Sequence, residues 1–272
     1  MLNFFLKRSF VDSVKNGRLE IHERFGVREI HTGTFYQSGP YIKKMWQKVL
    51  KSLSSNFGAH KVLVLGLGAG DVVRLLREKY LKAEIVAVDF DVEMKKIAEG
   101  AGLGSLPHPR IIIDDALSAC ERLLQQGEKF DLVVVDLFLR EKLASVVFED
   151  SFVSALQKIL DRQGFVLFNC NEDFLKVQSV WQKRLSLWGK ISFHKNVVTL
   201  WRPFGLGKIG DPFPKDYIDR KQSPEYLAKI HGVTQKMICR GGIYGVATQN
   251  KYFSIEKYFT DIVPDVKSEN YL

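Results

Sequence analysis

Residues 61–71, KVLVLGLGAGD, constrain this chain more than any other stretch. An apolar run at 62–65 passes into Gly66, Gly68 and Gly70, and a helical pattern starts at Asp71, so the segment reads as strand, glycine turn and helix. Glycines there let a ligand approach the backbone more closely than a Cβ would permit. Asp89 closes the next apolar run, EIVAVD, about 20 residues on, where a carboxylate can accept both hydroxyls of a ribose. The organising ligand is therefore expected to be a nucleoside; the plainer alternative is a tight turn with no ligand.

The spacing is GxGxG rather than GxGxxG, and Asp71 stands where a dinucleotide site has its third glycine. A carboxylate in the first helical turn repels a pyrophosphate but tolerates a cationic or neutral ligand. This turns the reading from NAD toward S-adenosylmethionine or a relative, whose sulfonium is positive.

With 272 residues, 46% of them hydrophobic, the chain can bury a full core. No apolar run approaches the roughly 18 residues of a membrane span, so a soluble cytoplasmic protein with no membrane partner is expected. Cys120, Cys170 and Cys239 have no CxxC spacing and the six histidines no paired ligand spacing, so neither a disulfide framework nor a metal site is expected. The formal charge is +9, with the basic excess on either side of a net acidic segment at 61–170. An anionic partner such as a nucleic acid would use those flanks, but no RNP-type motif or arginine cluster supports one, and solvated lysine surface is the commoner cause. A homodimer is one assembly the sequence allows.

Residues 1–38 alternate short apolar runs with turn residues and read as a small N-terminal β region. From Pro40 the period is helical, with Ile42, Met45, Trp46, Val49, Leu50 and Leu53 on one face and Lys43, Lys44, Lys48 and Lys51 on the other. Residues 39–202 read as a Rossmann-like cofactor-binding domain. Strands are expected at 62–65, 85–88, 111–113, 132–135 and 164–169, with a closing hairpin at 191–193 and 197–201. Asp91 is expected to cap a helix that buries Val92 and Ile97, residues 137–147 to run irregularly over the strand ends, and Phe174, Val177, Trp181 and Trp188 to line one face of a late helix. Alternating strands and helices demand a parallel sheet with right-handed crossovers, here an α/β, doubly wound, seven-stranded sheet. Residues 203–272 form a C-terminal extension of unknown role, with a short helix at 224–230 and a hairpin around Gln249 and Asn250.

The glycine loop, Asp89, Asp114 with Asp115, and Asp136 all end strands on what should be one edge, where ligands of open parallel sheets bind. Each aspartate alone is more often a strand terminator or helix cap; four in register point to a site. Asp115 would face an adenine amino group, and Asp136 the reactive end of the ligand.

In this order, LEIHERFGVREIHTG, YQSGPY, VLVLGLGAGD, VAVDFD, IIDDA and VVVDLF make residues 17–169 resemble the spermidine synthase branch of the class I S-adenosylmethionine-dependent methyltransferase fold. The resemblance implies that Gly66, Gly68, Gly70 and Asp89 hold the methionine tail and ribose, and that Asp115, with Ala116 beside it, holds the adenine. It puts Asp136 at the catalytic aspartate position and Gln37 and Tyr41 at the border of an acceptor pocket. Two departures stand out. Ala69 replaces an aspartate that, with the catalytic one, usually holds the aminopropyl amine. DLFLREK replaces an Asp-Ser-rich stretch, bringing Arg140 and Lys142 where a polyamine should be welcomed.

The first functional expectation is thus an S-adenosylmethionine-dependent transferase, a methyltransferase on a small-molecule acceptor. It binds S-adenosylmethionine at least about tenfold more tightly than the decarboxylated form, because loop and helix N–H groups can satisfy the donor's carboxylate. A polyamine aminopropyltransferase using decarboxylated S-adenosylmethionine is the alternative, followed by a non-catalytic nucleoside-binding or scaffold protein and, last, an NAD-dependent dehydrogenase.

Overall fold

The computed structural model describes residues 6–25, 27–54, 57–103 and 109–204, and three backbone strands between 236 and 254. The chain forms two compact units, Met1–Pro214 and Lys215–Leu272.

The first unit begins with an antiparallel meander, β1 (Leu6–Ser13), β2 (Gly17–Arg24), β3 (Val27–Thr32) and β4 (Phe35–Ser38). Strand alternation gives it one apolar face, whose Leu19 and Ile30 pack on Ala69, Met94 and Ile97. Pro40 then starts α1 (Pro40–Ser52), which buries the expected Ile42, Met45, Trp46, Val49 and Leu50 and leaves its four lysines exposed.

The main sheet is built from β5 (Lys61–Leu65), β6 (Glu84–Asp89), β7 (Arg110–Ile113), β8 (Phe130–Val135), β11 (Leu160–Asn169), β12 (Leu185–Phe193) and β13 (Asn196–Pro203). Its order is β12-β13-β11-β8-β5-β6-β7. The first five strands in sequence are parallel; β13 returns antiparallel between β11 and β12, as a closing hairpin requires. Both faces are covered. Val62, Val64, Leu132 and Val134 pack beneath α1 and α2 (Asp71–Lys79), while Leu63, Leu65, Val133 and Val135 pack beneath α4 (Ala116–Gln125), α5 (Asp150–Ile159) and α6 (Phe174–Trp181). A continuous apolar run is what a strand buried on both faces needs.

Three local expectations differ. Trp188 is in β12, not in a helix; α6 ends at Trp181, and Trp188 sits at a register shift in the β12–β13 ladder with the Arg202 guanidinium 4.8 Å from its ring. Val92 opens α3 (Val92–Gly100) and is 46% exposed, the inward positions being Met94, Ile97 and Ala98. Residues 137–147 are more ordered than expected: β9 (Phe138–Leu139) pairs with β10 (Lys142–Leu143), and a 3₁₀ turn follows at Ser145–Phe148. The second unit holds an antiparallel sheet of β14 (Lys236–Arg240), β15 (Ile243–Thr248) and β16 (Lys251–Ser254), with the expected hairpin between the last two. The helix expected at 224–230 lies outside the described residues. Among those described, no helix is long and apolar enough to cross a membrane.

Asp91 joins the meander to the sheet. One of its oxygens accepts from the Glu93 amide at 3.0 Å, capping α3 as expected. The other accepts from Ser13 Oγ at 2.5 Å and Asn16 Nδ2 at 2.6 Å, and the residue is 2% exposed. Asp91→Ala strands both donors and uncaps the helix, so chemical denaturation should show a loss of about 2–4 kcal/mol. A loss within about 0.5 kcal/mol would refute this clamp.

Candidate active site

Strand register sets the geometry of the site. Leu65 is level with Val88 on β6 and Val135 on β8, and Val135 is level with Phe168 on β11. Gly66, Asp89, Asp136 and Asn169, each the next residue, therefore share one edge. The edge opens into a cavity of about 680 Å³, lined by Gly66, Gly68, Asp89, Asp115, Ala116, Asp136, Gln37 and Tyr41 among others. Gly70 is the exception among the expected site residues. It is the left-handed residue (φ 83°) before α2, and a Cβ there would point at Leu103 and Ala98.

The glycines serve the protein before any ligand. At Gly66, with φ 96°, a Cβ would lie 2.1 Å from the carbonyl oxygen of Asp136, so the neighbouring strand end itself demands a glycine. Asp89 grips the loop: one carboxylate oxygen accepts from the amides of Leu67 (2.9 Å) and Gly68 (3.3 Å), the other from Asp91 (2.9 Å). Burial nevertheless pushes its carboxyl up to about 6. The Gly66 and Gly70 amides donate to the carbonyls of Val88 and Leu67. Four loop amides expected to receive a donor carboxylate are thus already partnered. What remains is the Ala69 amide and the first turn of α2, where the Asp71 carboxylate stands.

Asp71 has a structural task. It accepts from the Ser38 hydroxyl and the Gly39 amide (3.0 Å) and pairs with Arg74 at 3.3 Å, pinning the β4–α1 junction to the start of α2. Asp115 is exposed and caps α4, with one oxygen accepting from Leu117 (2.9 Å) and Ser118 (3.2 Å). It lines the cavity as well, so cap and cavity wall coincide in one residue. Asp114 pairs with Arg122 at 2.6 Å.

Asp136 is held from two sides. Trp46 Nε1 donates to one carboxylate oxygen and Asn169 Nδ2 to the other, each at 2.9 Å. The arrangement continues outward: Asn196 Nδ2 donates to Asn169 Oδ1 at 3.0 Å, and the Tyr41 hydroxyl donates to Asn196 Oδ1 at 2.7 Å. Burial raises the Asp136 carboxyl to about 6, against the lowering effect of the Asn169 and Trp46 hydrogen bonds. Gln37 donates to Thr32 Oγ1 (2.8 Å) and to the Arg140 carbonyl (3.1 Å), so it ties the meander to the β9–β10 hairpin.

The like-charge barrier expected from Arg140 and Lys142 is absent from the cavity wall. The residue of that turn lining the cavity is Glu141, while the Arg140 guanidinium lies beside Gly17 in the β1–β2 turn. Among the described residues, Asp71, Asp89, Asp114, Asp115, Asp136 and Glu141 line the cavity against one lysine, Lys195, and of the six Asp71 and Asp114 are paired with Arg74 and Arg122. Ala69 is 4% exposed and packs in the apolar cluster of Leu19, Ile30, Met94 and Ile97 while touching the cavity. An aspartate placed there would begin life half in that cluster. Sequence reasoning missed Asn169, Asn196 and the polar role of Trp46. Only Asn169 had a signal, as the polar residue ending the apolar strand expected at 164–169.

In Trp46→Phe the charged form of Asp136 loses a hydrogen bond. Its titration midpoint, read by carboxyl NMR, should move upward from about 6. Because folding raises the Asp136 and Asp89 carboxyls, their contribution to stability is fully present below about pH 4 and is lost as pH rises through about 6. Stability of the wild type should fall across that window, and in Trp46→Phe the fall should extend to higher pH. A midpoint unchanged by the substitution would show that Trp46 does not hold the carboxylate.

No family model matches the chain. It is 25% identical over 162 residues to a polyamine aminopropyltransferase of Pyrobaculum neutrophilum, covering 56% of this chain and 55% of that one. It is 30% identical over 121 residues to that of Pyrobaculum aerophilum, 42% of each. The chain thus spans about half the length of the curated relatives it matches. A crystal structure of spermidine synthase with the transition-state analogue AdoDATO superposes with a TM-score of 0.59 at 14% identity, covering 84% of this chain and 88% of that one. Human methyltransferase-like protein 13 in complex with SAH gives 0.53 at 21%, covering 64% and 86%. The fold is that of the class I methyltransferases, in the form shared with spermidine synthase.

Proposed function

We propose that this chain is a transferase that moves an alkyl group from an S-adenosyl sulfonium donor to an amine, and that the group is aminopropyl and the acceptor a polyamine. The observation that carries this reading is the cavity wall, where among the described residues six carboxylates, two of them paired with arginines, stand against one lysine. Such a wall favours a cationic donor and a cationic acceptor together. In the reaction the acceptor nitrogen attacks the carbon bound to sulfur, the carbon–sulfur bond breaks, and its electron pair returns to sulfur to leave a neutral thioether. Bringing the two reactants into line is most of the task. Asp89 and the glycine loop would hold the ribose end, with Asp115 and Ala116 at the base. Asp136, ionised above about pH 6, would orient the acceptor amine and take up its proton. Gln37 and Tyr41 would border the acceptor.

The partnered amides of the glycine loop also bear on the donor. A donor carboxylate would find few free N–H groups and the Asp71 charge, whereas an ammonium would find anions. Methyl transfer from S-adenosylmethionine is the second reading, favoured by Ala69, which leaves Asp136 without the usual second carboxylate.

Calorimetry of the two donors separates these readings. The decarboxylated form should bind at least about tenfold more tightly, roughly 1.4 kcal/mol. With it and a diamine the protein should release the thioether product, and Asp136→Asn should lower kcat by about 10²–10⁴-fold. Tighter binding of S-adenosylmethionine, with methyl transfer to an acceptor, would replace aminopropyl transfer by the second reading. Binding of neither donor would remove both.

A further inference from the structure

The N-terminal meander carries a second cluster of reactive side chains, outside the cavity. On β2 and β3, Glu20 stands opposite His31 and His22 opposite Glu29. Strand alternation puts all four on one face, opposite to the one that buries Leu19 and Ile30. His22 Nε2 lies 2.6 Å from Glu20 Oε1 and His31 Nε2 lies 3.4 Å from Glu29 Oε2, with the two imidazole centroids 4.8 Å apart. One ligand atom each from His22, Glu29 and His31 lies within 4.8 Å of the other two. Nine positions separate the histidines in sequence, so their spacing gave no sign of a metal site; the hairpin register makes them neighbours.

We infer that His22, Glu29 and His31 bind a divalent transition-metal ion of the zinc class, with the fourth position open to water or to Glu20. Two imidazole nitrogens and one carboxylate suit zinc better than the all-oxygen shells of magnesium or calcium. A tetrahedral site with metal–ligand distances of about 2.0–2.2 Å needs its donors roughly 3.3 Å apart. Closing that gap calls for side-chain rotation, chiefly of Glu29 and His22, rather than movement of the strands. With neutral rings, Glu20 and Glu29 bring two negative charges, offset by Arg8 at 3.6 Å from Glu20, whose side chain is 58% exposed. The Tyr36 ring packs 4.5 Å from His31 and limits its rotation. Tyr36, on β4, also lines the cavity and lies 6.0 Å from Tyr41, so an ion held by β2 and β3 sits one strand away from the cavity wall that β4 carries.

The test uses the full chain with zinc and cobalt(II) salts. Calorimetry should show one zinc per chain, and cobalt(II) should develop the intense visible bands of a four- or five-coordinate site. His22→Ala, His31→Ala and the isosteric Glu29→Gln should each weaken zinc binding by at least about tenfold, and the double histidine variant should lose the cobalt bands. Circular dichroism checks folding; if an alanine variant unfolds, His22→Gln, which preserves bulk, must still weaken binding. A wild type that leaves cobalt(II) six-coordinate, or a folded double variant with undiminished stoichiometry and spectrum, overturns the proposal.

Discussion

The parallel register of β5, β6, β8 and β11 is the constraint on which the rest of the structure depends. Hydrogen bonding between strands fixes which residues end level with one another, and a slip of one residue would turn every side chain to the opposite face. With Leu65, Val88, Val135 and Phe168 aligned, three polar strand ends and the first glycine of the loop meet at one place. The apolar residues behind them are buried on both faces, so the register is specified twice over. Chemistry at the edge rests on hydrophobic packing several residues away.

Asp89 and Asp136 are two solutions to the same electrostatic problem. Each carboxylate leaves water, which disfavours its charge, and each receives hydrogen bonds that restore it in part. Asp89 uses backbone amides, so its partners are set by the path of the glycine loop and not by side-chain hydrogen-bonding groups. Asp136 uses an indole and a carboxamide, so its setting depends on the identities of Trp46 and Asn169. Backbone-held groups are steady anchors; side-chain-held groups can be tuned by substitution.

That difference also decides what was legible in the sequence. The glycine loop, the alternating elements and the aspartates at strand ends follow from periodicity and from where polar residues interrupt apolar runs, and they lie where expected. Trp46 read as a core residue because its spacing on α1 is apolar, and it is fully buried; spacing says nothing of where the indole N–H points. Arg140 and Lys142 read as facing the acceptor because the turn approaches the strand ends, yet Glu141 is the member of that turn on the cavity wall. Turn residues have no period to orient them. His22 and His31 belong to the same class, since cross-strand neighbours are defined by pairing and not by sequence distance.

The line of groups from Tyr41 through Asn196 and Asn169 to Asp136 has one further property. A carboxamide donates through nitrogen and accepts through oxygen, and it cannot pass a proton along as a hydroxyl or imidazole can. The line therefore transmits orientation and not charge. The acceptor-only carboxylate requires the Asn169 nitrogen to face it; this turns the Asn169 oxygen toward Asn196, and the Asn196 oxygen toward the tyrosine hydroxyl. One buried anion sets the polarity of the whole row, and any proton that Asp136 gains has to leave through the cavity by which it came.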